Sequence, residues 1–218
     1  MTTGAARALV TGFEPFGGDA VNPSSLALTH LPRRLGGFDI HTRELPCVFG
    51  QALGVLRDAI AETEPDIVLC VGLAGGRAEL SLERVAINID DARISDNAGN
   101  RPIDIPVVAG GPSAYFSGLP ITAAVAALRE AGLPAAVSNS AGTFVCNHVF
   151  YGLIHLAATV PAPFRGGFLH VPYLPGQAAR QPGAPSMALA DIVRGVGIIL
   201  SVSAVRTGDI VIAEGALA

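Results

Sequence analysis

The stretch DIVLCVG at residues 66–72 decides the fold, because an unbroken apolar run lies between Pro65-Asp66 and Gly72. A strand that is apolar on both faces is typical of the centre of a parallel sheet with helices on either side. In the flanking sequence, strand patterns alternate with helical patterns, as expected around a parallel sheet. Strand patterns occur at RALVTGF (7–13) and FDIHTRELP (38–46), and helical patterns occur at SSLALTHLPRRL (24–35) and FGQALGVLRDAIAET (49–63). This alternation predicts βαβ units.

The second half of the chain continues the pattern after an interruption. Residues 79–88 form an extended run, and a polar loop of some fifteen residues with Gly, Asn and Pro follows it. Loops of that length usually serve a site. Helices are then predicted at 122–133, at 146–160 and from about Ser186, with strands at 134–140 and 166–171. We expect one α/β domain over residues 1–218, a three-layer αβα sandwich with a mixed, mostly parallel central sheet.

Composition excludes several classes of protein. Half of the 218 residues are hydrophobic and 15% are charged, which excludes disorder. The net charge of −4 and the lack of a Lys/Arg cluster argue against nucleic acid or an anionic membrane as partner. The most apolar window, 187–205, carries Asp191 and Arg194, so we expect a buried or interface helix rather than a membrane span. The start of the sequence has no signal-peptide pattern.

The three cysteines show no CxxC spacing, so neither a disulfide framework nor a zinc site is expected, and a reducing cytoplasm fits. Cys70 lies within the central strand and Cys47 follows a strand, and we expect both to be structural. Cys146 differs, because SNSAGTFVC (138–146) reads as a strand, a small-residue turn and the start of a helix. Helix N-termini lower the pKa of a thiol and offer N–H groups to a developing oxyanion. We therefore expect Cys146 to be an ionised nucleophile.

A nucleophilic thiol needs a base. His170 ends the apolar run GGFLH (166–170), and ligand sites in open parallel sheets form at the carboxyl ends of strands. His170 is therefore the preferred base. An orienting carboxylate is expected within 79–88, where period-two alternation places Glu83 on the same face as aliphatic neighbours. A salt bridge from Glu83 to an arginine such as Arg77 or Arg93 explains the spacing equally well.

The glycine-rich turns TGFEPFGG (11–18) and VGLAGGR (71–77) fit neither the dinucleotide-binding nor the P-loop pattern. Phe13 and Phe16 in the first turn are either core residues or the wall of a flat apolar pocket. Two alternatives to a peptidase therefore stay open. One is another Cys-dependent amidase, and the other is a non-catalytic α/β protein that binds a small molecule or an anion through these turns.

Several long motifs in order resemble the pyroglutamyl peptidase I (pyrrolidone-carboxylate peptidase) family of cysteine peptidases. They are VTGFEPFGG, NPS at 22–24, GLAGGR, ERVAINIDDARISDNAGN, SNSAGTFVCN and HVPYLP. The resemblance implies removal of an N-terminal pyroglutamyl residue from peptides by a triad without metal or cofactor. It implies Cys146 as nucleophile, His170 as base and Glu83 as the orienting carboxylate.

The same resemblance implies a pocket for the pyroglutamyl ring, with Arg93 near the reacting carbonyl. The implied pocket residues are Phe13, Phe16, Asn22, Ile94, Phe144 and Val145. It also implies a cytoplasmic homo-oligomer, commonly a tetramer, whose partners are pyroglutamylated peptides. The motifs fade after Ser186, and residues from about 206 to 218 are expected to form a variable tail.

Overall fold

The computed structural model describes residues 6–160 and 164–215. The nine strands in this part of the chain are β1 Ala6–Phe13, β2 Arg34–Leu35, β3 Phe38–Leu45, β4 Ile67–Leu73, β5 Leu80–Glu83, β6 Val85–Ile87, β7 Ala114–Phe116, β8 Ala135–Ser138 and β9 Arg165–Val171. The helices are α1 Pro23–Leu28, α2 Gln51–Thr63, α3 Ile121–Glu130, α4 Val145–Thr159, α5 Pro175–Ala178 and α6 Leu189–Val205.

Seven strands form the central sheet in the order β2-β3-β1-β4-β9-β5-β8. The neighbours from β3 through β1 and β4 to β9 are parallel, and so are β5 and β8. The pairs β2–β3 and β5–β9 are antiparallel. The prediction of a mixed, mostly parallel sheet is confirmed.

Two apolar clusters cover the two faces of this sheet. Helices α1, α3 and α6 pack on one face, and α2 and α4 pack on the other. Strand β4 shows why its sequence is apolar throughout. Its odd-numbered residues Ile67, Leu69 and Val71 enter the first cluster, while Val68 and Cys70 enter the second. Because successive side chains alternate between faces, a central strand in a three-layer sandwich has no polar side.

The helix predicted over 24–35 is shorter than expected. Helix α1 begins after Asn22, whose side chain accepts a hydrogen bond from the Ser24 N–H, and it ends at Leu28. Pro32 follows and disfavours helical backbone at the preceding residue. Residues 34–35 instead form the edge strand β2.

The extended run at 79–88 divides at Arg84 into strands of two different sheets. Strand β5 joins the central sheet, whereas β6 pairs with β7, a strand that the sequence pattern did not predict. Arg84 links the two through its backbone, since its N–H bonds to the Ser138 carbonyl and its carbonyl accepts from Ser117. The shared face predicted for this run therefore ends at Glu83, and the polar loop extends from 88 to 113.

Helix α6 packs into the first apolar cluster, as expected of a buried helix. No helix among residues 6–160 and 164–215 is long and apolar enough to cross a membrane. The segment after α6 contacts both ends of α3. Asp209 accepts hydrogen bonds from the N–H groups of Thr122 and Ala123, and Glu214 pairs with Arg129.

Candidate active site

Cys146 lies in the first turn of α4, directly after Phe144 and Val145. The N–H of His148 bonds back to the Phe144 carbonyl, while the Phe144 side chain caps no N–H group of this turn. The N–H groups of Val145 and Cys146 precede the first intrahelical bond, so they are free to receive an acceptor beside the thiol. Cys146 is partly buried. The predicted position at a helix start is confirmed.

Gly72 in β4 makes room for the thiol. A Cβ added to Gly72 would lie 2.9 Å from Cys146 Sγ, so Sγ lies directly over this glycine. His170 is the residue opposite Gly72 in the parallel β4–β9 pair. Because neighbouring strands lie about 4.8 Å apart, this register puts His170 on the strand beside the glycine over which the thiol lies.

Glu83 reaches His170 from β5, which pairs with β9 on the side away from β4. In the antiparallel β5–β9 pair, Ser81 lies opposite His170, so Glu83 is a diagonal neighbour on the same face. Glu83 Oε1 accepts a hydrogen bond of 2.7 Å from His170 Nδ1, and both side chains are buried. A carboxylate accepts only, so Nδ1 carries the proton and Nε2 keeps its lone pair.

Arg77 binds the same carboxylate oxygen. Its guanidinium donates to Glu83 Oε1 at 2.7 Å and to the Ser140 carbonyl at 3.1 Å. The sequence left the orienting role and the salt bridge of Glu83 as alternatives. In the structure, one oxygen atom accepts from both His170 and Arg77.

Burial opposes the expected ionisation of the Cys146 thiol. Burial raises the pKa of Cys146, the acidic groups of Cys47 and Glu83 raise it further, and Arg77 lowers it. Desolvation is the largest of these effects, and it disfavours the thiolate. Burial also lowers the pKa of His170, against the effect of Glu83. Burial thus disfavours the charged forms of both side chains.

Aromatic side chains pack around Phe144, two residues before the nucleophile. The ring centroids of Phe16 and Phe144 are 6.2 Å apart, and Phe49 meets Phe144 edge-on at 5.4 Å. Phe16 and Phe144 are partly buried. Phe13 is 2% exposed and packs against Phe168, whose ring lies 4.9 Å from that of His170. The structure thus brings Phe16 and Phe144 together and places Phe13 in the core beside them.

Asn22 anchors the loop that carries Phe16. Its side-chain amide donates to the Glu14 carbonyl, and its oxygen accepts from Ser24. The Glu14 carboxylate in turn accepts from the Cys47 N–H and from Asn97. Among the other residues implied by resemblance, Val145 is fully buried, whereas Ile94 and Arg93 are exposed on the long loop after β6.

Comparisons with known proteins agree on one family. The model of the family described as pyroglutamyl peptidase matches residues 6–206. The chain belongs to the pyroglutamyl peptidase family. A pyrrolidone-carboxylate peptidase of Escherichia fergusonii is 54% identical over 95% of this chain and 97% of its own length. One of Erwinia tasmaniensis is 56% identical over 96% of this chain and 98% of its own.

Solved structures agree as well. The crystal structure of pyroglutamyl peptidase I from Bacillus amyloliquefaciens superposes with a TM-score of 0.92 at 45% identity, covering 96% of this chain and all of that chain. A pyrrolidone carboxyl peptidase mutant from Pyrococcus furiosus gives a TM-score of 0.88 at 43% identity, covering 91% of this chain and 98% of that chain.

Sequence reasoning missed a second histidine–carboxylate pair in this member of the family. His148 Nδ1 donates to Asp90 Oδ2 at 2.8 Å, and His148 Nε2 accepts the N–H of Gly50 at 3.0 Å. The ring of Phe49 packs edge-on against His148. The partners of His148 come from distant loops that no local pattern reveals.

Asn147 is a further residue that the sequence did not single out. It fixes β6 to α4 with hydrogen bonds to both backbone groups of Ile87 and to the Ile89 carbonyl. The pocket loop after β6 is therefore tied to the helix that carries the nucleophile. In the described parts of the chain, no group of three or more His, Cys, Asp and Glu side chains could hold a metal ion.

Proposed function

We propose that Cys146, His170 and Glu83 are the catalytic nucleophile, base and orienting carboxylate with which this cysteine peptidase removes N-terminal pyroglutamate from peptides. The observation that carries the assignment is the register of three adjacent strands. It places Gly72 beneath the thiol, His170 beside Gly72, and Glu83 at hydrogen-bond distance from His170. This arrangement supports nucleophilic attack by Cys146 with His170 as a base that Glu83 orients.

The first half-reaction begins with transfer of the Cys146 proton to His170 Nε2. Sγ bonds to the carbonyl carbon that links pyroglutamate to the next residue, and the carbonyl oxygen becomes an oxyanion. The N–H groups of Val145 and Cys146 stabilise it. The Nε2 proton then passes to the leaving nitrogen, the C–N bond breaks, and a thioester remains on Cys146.

Hydrolysis uses the same base. His170 Nε2 takes a proton from water, the resulting hydroxide attacks the thioester, and the C–S bond breaks. The proton returns to Sγ as free pyroglutamate leaves. Glu83 holds Nδ1–H throughout, which keeps Nε2 available and stabilises the imidazolium that forms in each step.

Selectivity follows from the flat, uncharged lactam ring of pyroglutamate. Phe16 and Phe144 supply apolar surface, and Phe49 supports Phe144. We assign the ring pocket to Phe13, Phe16, Ile94, Phe144 and Val145, with Asn22 as support and Arg93 near the reacting carbonyl. Backbone groups of the surrounding loops would pair with the lactam N–H and C=O. An N-terminal proline lacks the ring carbonyl and carries a positive charge, so it leaves a donor unpaired and a charge buried.

Turnover of matched arylamides tests the proposal. We expect kcat/KM for a pyroglutamyl-arylamide to exceed that for the prolyl analogue by at least about a thousandfold, because sites built to hydrogen-bond a group reject analogues that lack it. Cys146→Ala should abolish turnover. Glu83→Gln should lower kcat by less than His170→Ala does, since base catalysis contributes roughly 10²–10⁴-fold.

Labelling with iodoacetamide and mass mapping separates this proposal from its rivals. Activity should fall in step with labelling of Cys146. A different Cys-dependent amidase would prefer another acyl group, and a non-catalytic binder would turn over neither arylamide. Labelling of Cys47 or Cys70 in step with inactivation would contradict the assignment of the nucleophile.

We also propose that residues 1–218 form one catalytic domain and that the protein acts in the cytoplasm as a homo-oligomer, a tetramer by resemblance. Exposed apolar side chains support association, since Phe116 and Ile103 are each 70% exposed. The three cysteines are free thiols, which fits a reducing compartment. Analytical ultracentrifugation would give the oligomer size.

A further inference from the structure

Arg77 connects the two halves of the site. It lies in the turn between β4 and β5, and its side chain is 29% exposed. One guanidinium nitrogen donates to Glu83 Oε1, on the side of the base. The other donates to the Ser140 carbonyl, in the turn that leads into the helix of the nucleophile. A displacement of Arg77 would therefore loosen both halves at once.

The charges around Glu83 show why an arginine is needed there. Glu83 is fully buried, and its second oxygen, Oε2, has no partner among the described residues. A buried carboxylate needs a compensating positive charge. His170 cannot supply that charge and also serve as a base, because a protonated imidazole has no lone pair for the thiol proton. Arg77 is the cation that contacts Glu83 while leaving His170 neutral.

We propose that Arg77 is a positioning residue of this site, which balances the charge of Glu83 so that His170 stays a neutral base and which fixes the turn before Cys146. The inference rests on the catalytic assignment proposed above. Arg77 touches neither the thiol nor the imidazole in the contacts described, so it acts through Glu83 and Ser140.

Arg77 should affect the pH dependence of activity through Glu83 and His170. The groups around His170 are Glu83 on β5, Arg77 from the preceding turn and Cys146 on α4. Burial lowers the pKa of His170, Glu83 raises it, and Arg77 lowers it. The active site holds one proton shared by thiol and imidazole, and a second proton inactivates it. Removing Arg77 makes that second proton easier to add, so the acidic limb of activity moves to higher pH.

Three variants test the role of Arg77. Arg77→Met removes the charge and both hydrogen bonds, and Arg77→Lys keeps the charge. The matched control is Arg129→Met, because Arg129 also pairs with a glutamate and donates to a backbone carbonyl, but at Glu214 and Ala135 away from the site. The measurements are kcat, KM and the pH profile of kcat/KM with a pyroglutamyl-arylamide, together with the melting temperature of each variant.

For Arg77→Met we expect kcat to fall at least about tenfold at neutral pH, with KM within about twofold of wild type, because Arg77 does not contact substrate. The acidic limb should move up by about one pH unit, the size of shift that loss of a nearby charge causes. Arg77→Lys should show a smaller shift. Arg129→Met should lower the melting temperature and leave the pH profile unchanged.

An unchanged pH profile in Arg77→Met, with only a lower melting temperature, would overturn the proposal and leave Arg77 a structural ion pair. If Arg77→Met does not fold, Arg77→Gln keeps donors without the charge and should show the same upward shift. Titration of the His170 imidazole by NMR measures the shift of its pKa without depending on turnover. It therefore separates failure of this inference from failure of the catalytic assignment, which would appear as activity retained in Cys146→Ala.

Discussion

At the scale of single residues, the decisive position is a glycine. Gly72 carries no chemistry, but the space above its Cα holds the thiol, and a Cβ there would also lie 2.9 Å from the Phe168 ring. Its backbone lies outside the positive-φ region, so substitution changes volume rather than backbone strain. The site therefore requires a residue without a Cβ at position 72.

Gly72→Ala should cost activity far more than stability. Displacing Sγ by even part of an ångström misaligns it with His170, and misplacement of about 1 Å can cost 10²-fold in rate. We expect kcat/KM to fall at least about a hundredfold while the protein stays folded, as measured by arylamide kinetics and circular dichroism.

Gly54→Ala is the control for that substitution. Gly54 lies inside α2, and a Cβ there would meet nothing within 4 Å. The variant should keep full activity and gain about 0.5–1 kcal/mol of stability from the helix propensity of alanine. If Gly72→Ala retained wild-type kcat/KM, the thiol would not occupy the position that this register gives it.

The sequence also shows its limits at this scale. Cys146 and His170 could be predicted from the residues, because a helix start and a strand end are local patterns. Glu83 could not be settled in that way, since its partners come from β9 and from the turn before β5. Burial is a property of the packed molecule, so the local pattern at the helix start could not show that desolvation raises the pKa of Cys146.

At the scale of elements, the strands and helices with regular periodicity formed where the pattern placed them, while β6, β7 and the end of α1 did not. The division at Arg84 arises because its backbone bonds to two different segments, Ser138 and Ser117. Period-two alternation continues through that point in the sequence, so it cannot show that the strand changes partners. The sequence does not reveal the pair His148–Asp90 either, because its members are 58 residues apart.

That pair ties α4 to two loops and gives a test of coupling between elements. Asp90 and His148 are buried, and His148 also accepts the Gly50 N–H. His148→Leu would leave the Asp90 carboxylate and the Gly50 N–H without this partner. We expect it to lower the free energy of unfolding by about 3 kcal/mol, because it leaves a buried carboxylate and a buried N–H group without this hydrogen-bond partner.

The double variant Asp90→Leu/His148→Leu should lose less than the sum of the two single variants, because it removes both members of the pair. Urea unfolding of the four proteins in the cycle measures the coupling. Strict additivity would mean that the hydrogen bond contributes nothing to holding α4 against the loops. Asn147 is a neighbour on the helix with separate partners, and Asn147→Ala should not alter that coupling.

At the scale of the whole molecule, the three-layer sandwich brings residues from three strands and one helix to one face of the sheet. The sequence predicted the layers correctly because both faces of β4 are apolar. It did not predict how the segment after α6 is held. The family match ends at residue 206, yet this segment bridges the length of α3 through contacts at both of its ends.

Asp209 is the more informative of those contacts. Pro120 precedes α3 and provides no side-chain cap, so Asp209 supplies from the far end of the chain the acceptor that a local cap would give. Desolvation is the largest single effect on the pKa of Asp209 and raises it, but the hydrogen bonds from the N–H groups of Thr122, Ala123 and Ile210 together lower it below its usual value. The positive end of the α3 dipole also stabilises the ionised carboxylate.

Asp209→Ala should therefore lower the free energy of unfolding by about 1 kcal/mol at neutral pH, the usual value of an N-cap. A lowered pKa in the folded state means that this stabilisation is present above the unfolded value near 3.8 and is lost as pH falls through the lower folded value. The difference between wild type and variant should shrink in that acidic range. Asp209→Asn, which keeps one acceptor without the charge, should fall between the two.

Enzymatic activity provides a second test of the same variant. Helix α3 packs on the face of the sheet opposite α4, the helix that carries Cys146. If the contact made by Asp209 stabilises only α3 and the segment after α6, kcat/KM of Asp209→Ala should equal that of wild type at temperatures where both are folded. Thermal unfolding at several pH values, with arylamide kinetics beside it, checks both expectations. A difference in stability that persisted unchanged into acid would show that the carboxylate does not cap α3.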